Sequence, residues 1–175
     1  QSIIFQSGIT AGSTAWYFIK KQTPKIHPTK TFGRLVPERM DDFAWENDRI
    51  AFRMYGPALQ KSGEISSGID VWSKRTTAMV INKWYKGEDY HHDHGEGCDF
   101  YGVGKTLGAG GIAPFSNNKL YPSANFSSYK ILDNGPLRTR FQLMYNSWKA
   151  DGNSVSEIKT ITLDATQPAA QAMFY

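Results

Sequence analysis

The chain has 175 residues, a formal net charge of +4 and 14% aromatic side chains, a length that suits one domain burying about two-thirds of its unfolded surface. The aromatic content excludes global disorder, and the scattered Lys and Arg residues, with no basic run longer than a pair, exclude a nucleic-acid or membrane-surface patch. No apolar run approaches the roughly 20 residues of a membrane span, and a single cysteine, Cys98, excludes internal disulfides and a Cys-based zinc site.

From Gln1 onward there is no targeting pattern, and the apolar "QAMFY" at the end carries no capping turn. The expectation is a piece of a longer protein. Strand signals dominate the first third: "TAWYFIKK" (Thr14–Lys21), "TFGRLV" (Thr31–Val36) and "DRIAFRMYG" (Asp48–Gly56) are aromatic and β-branched runs between Gly, Pro and Asp. Within the last, Ile50, Phe52 and Met54 alternate with Arg49, Ala51, Arg53 and Tyr55, the period of a strand with one buried face. "GIDVW" (Gly68–Trp72) predicts a further short strand.

"KRTTAMVINKWYKG" reads as a helix, with Ala78, Ile81 and Trp84–Tyr85 on one face and Gly87 as its stop; a Val-Ile strand is the competing reading. The Gly-rich stretch Val103–Asn118 predicts a long loop. Asp133-Asn134-Gly135 then divides two strand-like runs, a strong hairpin signal, with Pro136 at the turn edge because it cannot donate to a ladder. "VSEIKTITLDA" (Val155–Ala165) predicts one more strand. The fold class expected is mostly β, an antiparallel β-sandwich with one helix, as a single domain over residues 1–175.

Chemistry concentrates in "GEDYHHDHGEGCDFYG" (Gly87–Gly102). It holds His91, His92 and His94, three of the chain's four histidines, among Glu88, Asp89, Asp93, Glu96 and Asp99. If extended, it places His92, His94 and Glu96 on one face, a half-site for Zn, Mn or Fe(II). If folded as a turn, the histidines converge on a sugar hydroxyl or an acidic proton, where His and Glu supply acid–base groups. A plain solvated loop is the third reading. Cupin spacing fails, because Glu96 follows His94 too closely and His27, the remaining histidine, lies upstream. Cys98 in a polar turn does not mark a nucleophile. "GVGKTLGAGG" lacks the first Gly of a phosphate loop, since Asp99 stands there.

A second constellation, Arg34–Leu59, sets Glu38, Arg39, Glu46 and Arg49 beside Trp45 and Tyr55. Carboxylates next to Arg and flat rings are what carbohydrate recognition needs; an ion-paired turn entering a strand is the plain alternative, preferred for Asp41 and Asp42.

"VPERMDDFAWENDRIAFRMYGPAL", "GIDVWSKR", "INKWYKGEDYHHDHGEGCDFYGVGKTLGAGG" and "SEIKTITLDA" resemble the bacterial family of domains of unknown function numbered 4861. The resemblance runs over nearly the whole chain from about Phe32, and the family's members are longer than this chain. It implies a galactose-mutarotase-like β-supersandwich, incomplete here. It also implies a place in polysaccharide-utilisation gene clusters, beside enzymes acting on uronate-containing glycans, with a periplasmic or secreted location. The family brings no settled activity. Supersandwich relatives include mutarotases using a His/Glu pair and lyases using His, Tyr or Arg.

The function expected is therefore carbohydrate-active: acid–base chemistry on a sugar or uronate-containing oligosaccharide, as an epimerase, lyase or hydrolase. His91, His92, His94, Glu46 and Tyr101 are the catalytic candidates. Glu38, Arg39, Trp45, Arg49 and Tyr90 are the substrate-binding candidates, with Arg39 or Arg49 neutralising a carboxylate. The alternatives are a non-catalytic carbohydrate-binding sandwich, and a metal enzyme using His92, His94 and Glu96. The cofactor is accordingly none or a divalent metal, and the partner an oligosaccharide or polysaccharide, with no nucleic acid and no membrane span.

Overall fold

A computed structural model describes residues 3–23, 25–87 and 89–175. The strands expected from Thr31 onward form, and they assemble into two antiparallel sheets. The first is five-stranded and runs in chain order: β1 (Thr31–Val36), β2 (Asp42–Asn47), β3 (Ile50–Met54), β4 (Asp70–Lys74) and β5 (Gly97–Cys98). A 3-10 turn, Pro37–Arg39, joins β1 to β2, and a short helix, α1 (Pro57–Lys61), follows β3. After a second helix, α2 (Ile81–Trp84), and a two-stranded ribbon of β6 (Phe115–Ser116) and β7 (Lys119–Leu120), the chain builds the other sheet. That sheet contains β8 (Ser128–Asn134), β9 (Arg138–Ala150), β10 (Asn153–Asp164) and β11 (Gln171–Phe174), ordered β11-β10-β9-β8. The architecture is the expected antiparallel sandwich.

The sandwich core comes from alternation. Phe43 and Trp45 of β2, Phe52 and Met54 of β3, Phe141, Leu143 and Tyr145 of β9, and Ile161 and Leu163 of β10 are all buried in one cluster between the sheets. Every second residue of each strand points there. Trp45 lies flat on Phe52, with ring centroids 5.2 Å apart, and meets Phe141 edge-on at 5.1 Å. The β8–β9 hairpin turns at Asn134–Leu137 as the Asn-Gly signal predicts, and Pro136 stays outside both ladders. Asn134 does more than turn the chain. Its side-chain amide donates to Gly33 O at 3.1 Å and accepts from Gly33 N at 2.9 Å, clamping the hairpin to β1.

Three expectations are corrected. "TAWYFIKK" forms no strand: the described residues between 3 and 30 run over the surface without regular structure, leaving Trp16, Phe18 and Ile19 each more than 80% exposed. No sheet edge reaches this run to satisfy its backbone, and propensity alone does not make a strand. The helix expected over Lys74–Gly87 shrinks to the four residues of α2, because packing of Val80, Ile81 and Trp84 on the sheet and the Glu46 carboxylate, rather than helical propensity, hold this segment. Finally, β3 does not have one buried face. Ala51 and Arg53, the residues that alternate away from the sandwich core, are buried too.

Candidate active site on the outer face

The second burial of β3 has a structural cause. The outer face of the five-stranded sheet is roofed by α2 and by the loop Gly87–Gly102. Val36, Ala44, Ala51 and Trp72 from the sheet pack there against Val80, Ile81 and Trp84 from the roof, with Tyr85 and Tyr90 at the margin. Trp72 stacks on Trp84 at 5.7 Å and touches Tyr85 and Tyr90. Small alanines on β2 and β3 leave room for these rings.

Charged residues are buried beneath the same roof. Register places Arg53 directly across from Asp70. Its guanidinium donates to Asp70 Oδ2 from Nε at 2.9 Å and from Nη2 at 2.5 Å, to Asp99 Oδ2 at 3.3 Å, and to Tyr90 Oη at 3.1 Å. Asp42 Oδ2 lies 3.9 Å from Arg53 Nε. All three aspartates are at most 1% exposed. Burial pushes the Asp42 carboxyl up to about 7 and Asp70 to about 6, in each case against the pull of Arg53, and raises Asp99 for the same reason. Among the described residues, Asp42 Oδ2, Asp70 Oδ1 and Asp99 Oδ1 have no hydrogen-bond partner. One arginine thus faces three buried acids, each of which burial pushes towards its neutral form.

The histidine loop stands on this cluster. It is closed at its base by Asp99 N donating to Tyr90 O at 3.0 Å. At its tip Asp93 Oδ1 accepts from Gly95 N at 2.7 Å and Gly97 N at 3.0 Å, which folds the chain back. Gly97 cannot be replaced cheaply: at φ +102° a Cβ would come within 2.0 Å of Ser73 O, where β5 pairs with β4. The loop is therefore a turn and not a strand, which corrects the one-face arrangement of His92, His94 and Glu96. Glu96 takes Lys83 Nζ at 2.7 Å and Trp84 Nε1 at 3.4 Å, and the Lys83 bond holds its carboxyl below the ordinary range. Among the described residues no three His, Cys, Asp or Glu side chains are grouped to hold a metal ion, so the expected His92–His94–Glu96 ligand set is not assembled. Glu88 lies outside the described residues.

The loop's own acid is Asp89. His92 Nδ1 bonds Asp89 Oδ1, and His94 Nε2 lies 3.3 Å from Asp89 Oδ2. The hydrogen bond from His92 holds the Asp89 carboxyl below its ordinary value. Because a carboxylate only accepts, the neutral imidazoles carry their protons on those nitrogens, leaving His92 Nε2 and His94 Nδ1 as acceptors without a partner among the described residues. The three side chains line a cleft of about 450 Å3, with Trp84, Tyr90, Lys83 and Glu96 completing its walls.

Other candidates land elsewhere. Arg39 joins the site from behind, donating from Nε to Tyr90 Oη at 3.0 Å, so the phenol is held by two guanidiniums. Trp45 is buried between the sheets and cannot stack on a sugar. Glu46 is wholly buried, its oxygens taken by Lys74 Nζ at 2.7 Å and by the backbone N–H groups of Val80 and Ile81 at 2.9 and 2.8 Å; it starts α2 and does not line the cleft. Glu38 pairs with Arg34 on the surface. Arg49 sits in the exposed turn between β2 and β3, and Tyr101 bonds Thr106 outside the cleft. Asp89, Asp99 and Arg53 are the residues the sequence reading did not single out. The signal was present in β2–β4: Ala44, Ala51 and Trp72 make the supposedly wet face apolar, which marks a sheet covered on both sides.

An antiparallel sandwich carrying a histidine–carboxylate cleft on its roofed outer face is the class that these features define. The chain belongs to the DUF4861 family, a domain of unknown function, whose model matches residues 1–173. It is 40% identical over 177 residues to the uncharacterised protein P7 of Formosa agariphila, a match covering 93% of this chain and 45% of that protein. The chain thus spans less than half the length of the curated relative it matches. No solved structure matches it.

Proposed function

We propose that the protein acts on a sugar or oligosaccharide by acid–base chemistry in the cleft between α2 and the histidine loop. The observation that carries this reading is the sharing of one carboxylate, Asp89, by His92 and His94 at the wall of a cleft flanked by Trp84 and Tyr90. Asp89 fixes which nitrogen of each imidazole bears the proton, as an orienting acid does in hydrolytic dyads. The aromatic rings offer a flat apolar surface, and the polar atoms around them suit a polyhydroxylated ligand. In this reading the sandwich is of the galactose-mutarotase-like supersandwich kind, extended by the remainder of a longer protein, and serves polysaccharide utilisation outside the cytoplasm. The epimerase, lyase and hydrolase options share the same proton transfers.

The test is a panel of neutral and uronate-containing oligosaccharides, assayed in parallel for binding by calorimetry and for turnover by mass spectrometry. A double variant, His92→Ala with His94→Ala, is expected to keep binding within a few-fold while turnover falls by 10²–10⁴-fold, roughly the contribution of general acid–base groups. Unchanged turnover in that variant would sink the proposal. Binding without turnover of any panel member by the wild-type chain favours the second reading, a carbohydrate-binding sandwich. That reading draws on one feature: the lysine of the cleft, Lys83, is spent on Glu96, as befits recognition by neutral polar contacts.

A further inference from the structure

We propose that His91 and Asp99 form a second acid–base pair, with Nε2 of His91 as the proton-accepting atom and Asp99 as the residue that positions it. The inference rests on the reading of this loop as acid–base machinery for a hydroxyl-bearing substrate, and it concerns the side of the loop that the Asp89 cleft leaves unused.

The geometry assigns the tautomer. His91 Nδ1 lies 3.1 Å from the Asp99 backbone oxygen and 3.4 Å from Asp99 Oδ2. A carbonyl oxygen and a carboxylate oxygen can only accept. Neutral His91 therefore carries its hydrogen on Nδ1, and among the described residues its Nε2 lone pair has no partner. The imidazole side chain is 56% exposed, so the ring is within reach of a ligand.

What separates this pair from His92 and His94 is how firmly the acid is held. The Asp89 side chain is 56% exposed and comes from the loop itself. Asp99 is 1% exposed, takes Arg53 Nη2 on Oδ2 at 3.3 Å, and closes the loop through its own N–H to Tyr90 O. The His91 ring lies against the Tyr90 ring at a centroid distance of 4.3 Å, and Tyr90 is fixed in turn by Arg39 and Arg53. The imidazole is thus held by its Nδ1 partner and by a clamped aromatic face. An acid buried behind an exposed, tautomer-fixed histidine is the arrangement that stabilises an imidazolium once it forms. Asp99 Oδ1, which has no partner among the described residues, leaves a lone pair next to that charge.

Tyr90 is also a wall of the Asp89 cleft, so His91 stands one ring away from it. The step is a proton transfer: a substrate O–H gives its proton to His91 Nε2, leaving the oxygen with the bonding pair, and the imidazolium returns the proton later in the cycle. No other reactant is consumed. Two acid–base groups that share one tyrosine as a neighbour match the need of sugar chemistry for one group that removes a proton and another that supplies one.

The test needs no substrate. On the 15N-labelled 175-residue chain in mildly alkaline buffer, long-range 1H–15N spectra are expected to show His91 protonated on Nδ1. Carbethoxylation by diethyl pyrocarbonate, read residue by residue by mass spectrometry, then reports the free lone pair. Asp99→Asn is expected to slow modification of His91 several-fold while leaving His92 and His94 unchanged. Asp89→Asn is expected to do the reverse. An Nε2–H tautomer at His91 in the wild-type chain overturns the proposal, and that measurement stands even if Asp99→Asn folds poorly. Equal sensitivity of all three histidines to either variant overturns it as well. Failure of the oligosaccharide panel with the tautomer as assigned would instead count against the carbohydrate reading.

Discussion

The residue on which the outer face turns is Arg53, and the cost of its surroundings is visible in pH. Asp42 has a folded-state value of about 7 against an ordinary 3.8, and Asp70 about 6. Between pH 4 and 7 the folded chain therefore holds protons that the unfolded chain has released. Linkage then makes these groups favour folding fully below about pH 4, with that contribution lost as pH rises towards 7. Asp42→Asn removes the larger share of this dependence. Its amide oxygen can still accept from Gly56 N, as Asp42 Oδ1 does at 2.9 Å. The expected outcome is that the unfolding midpoint of the variant, relative to wild type, climbs steadily from pH 4 to pH 7. A constant difference across that range would show that Asp42 ionises in the folded state as it does in water.

At the scale of elements, a buried ion pair fastens α2 to the outer face of the sheet. Glu46 of β2 and Lys74 of β4 have fully buried side chains, and the remaining lone pairs of Glu46 hold the first N–H groups of the roof at Val80 and Ile81. Glu46→Gln leaves Lys74 without its counter-charge, a loss of about 3–5 kcal/mol when one member of a buried pair is removed. Chemical denaturation should show that loss, together with faster hydrogen exchange at Val80 and Ile81. Intact stability with abolished turnover would restore the catalytic role that composition suggested for Glu46. This residue also shows where sequence reading stops. The strands β1, β3 and β4, the β8–β9 hairpin and β10 were legible because period-2 alternation and Asn-Gly chemistry are local, whereas β2, read as an ion-paired turn, was not. The roles of Glu46, Trp45 and Arg53 were not, because each depends on which face of the sheet is covered. Trp45 looked like a sugar platform and is core; Arg53 looked wet and is buried. The histidine loop was found by density of residue type, but its orienting acids, Asp89 and Asp99, become visible only once the chain turns.

At the scale of the molecule, the sandwich and its roof account for nearly all buried apolar residues, and residues 3–30 contribute almost none. Among the described residues the first half of this arm touches the sandwich through Gln6, whose amide donates to Ala165 O at 2.9 Å and Thr166 Oγ1 at 3.3 Å, while Phe5 and Tyr17 pack on each other at 4.9 Å. Regular attachment begins at Lys30, where its N–H meets Pro136 O at 3.0 Å. Removing residues 1–26 is therefore expected to change unfolding free energy by no more than about 1 kcal/mol, the worth of a hydrogen bond or two at the surface. The same deletion takes away Trp16, Phe18, Ile19 and Ile26, large apolar side chains that are each more than 80% exposed, and exposed apolar surface drives association. Light scattering of the shortened chain should show less self-association than the parent, with the two-state transition retained. Loss of cooperative unfolding on deletion would show instead that the arm belongs to the folding unit. The family match includes this segment, and retention of stability without it would place its aromatic run outside the core that holds this sandwich together.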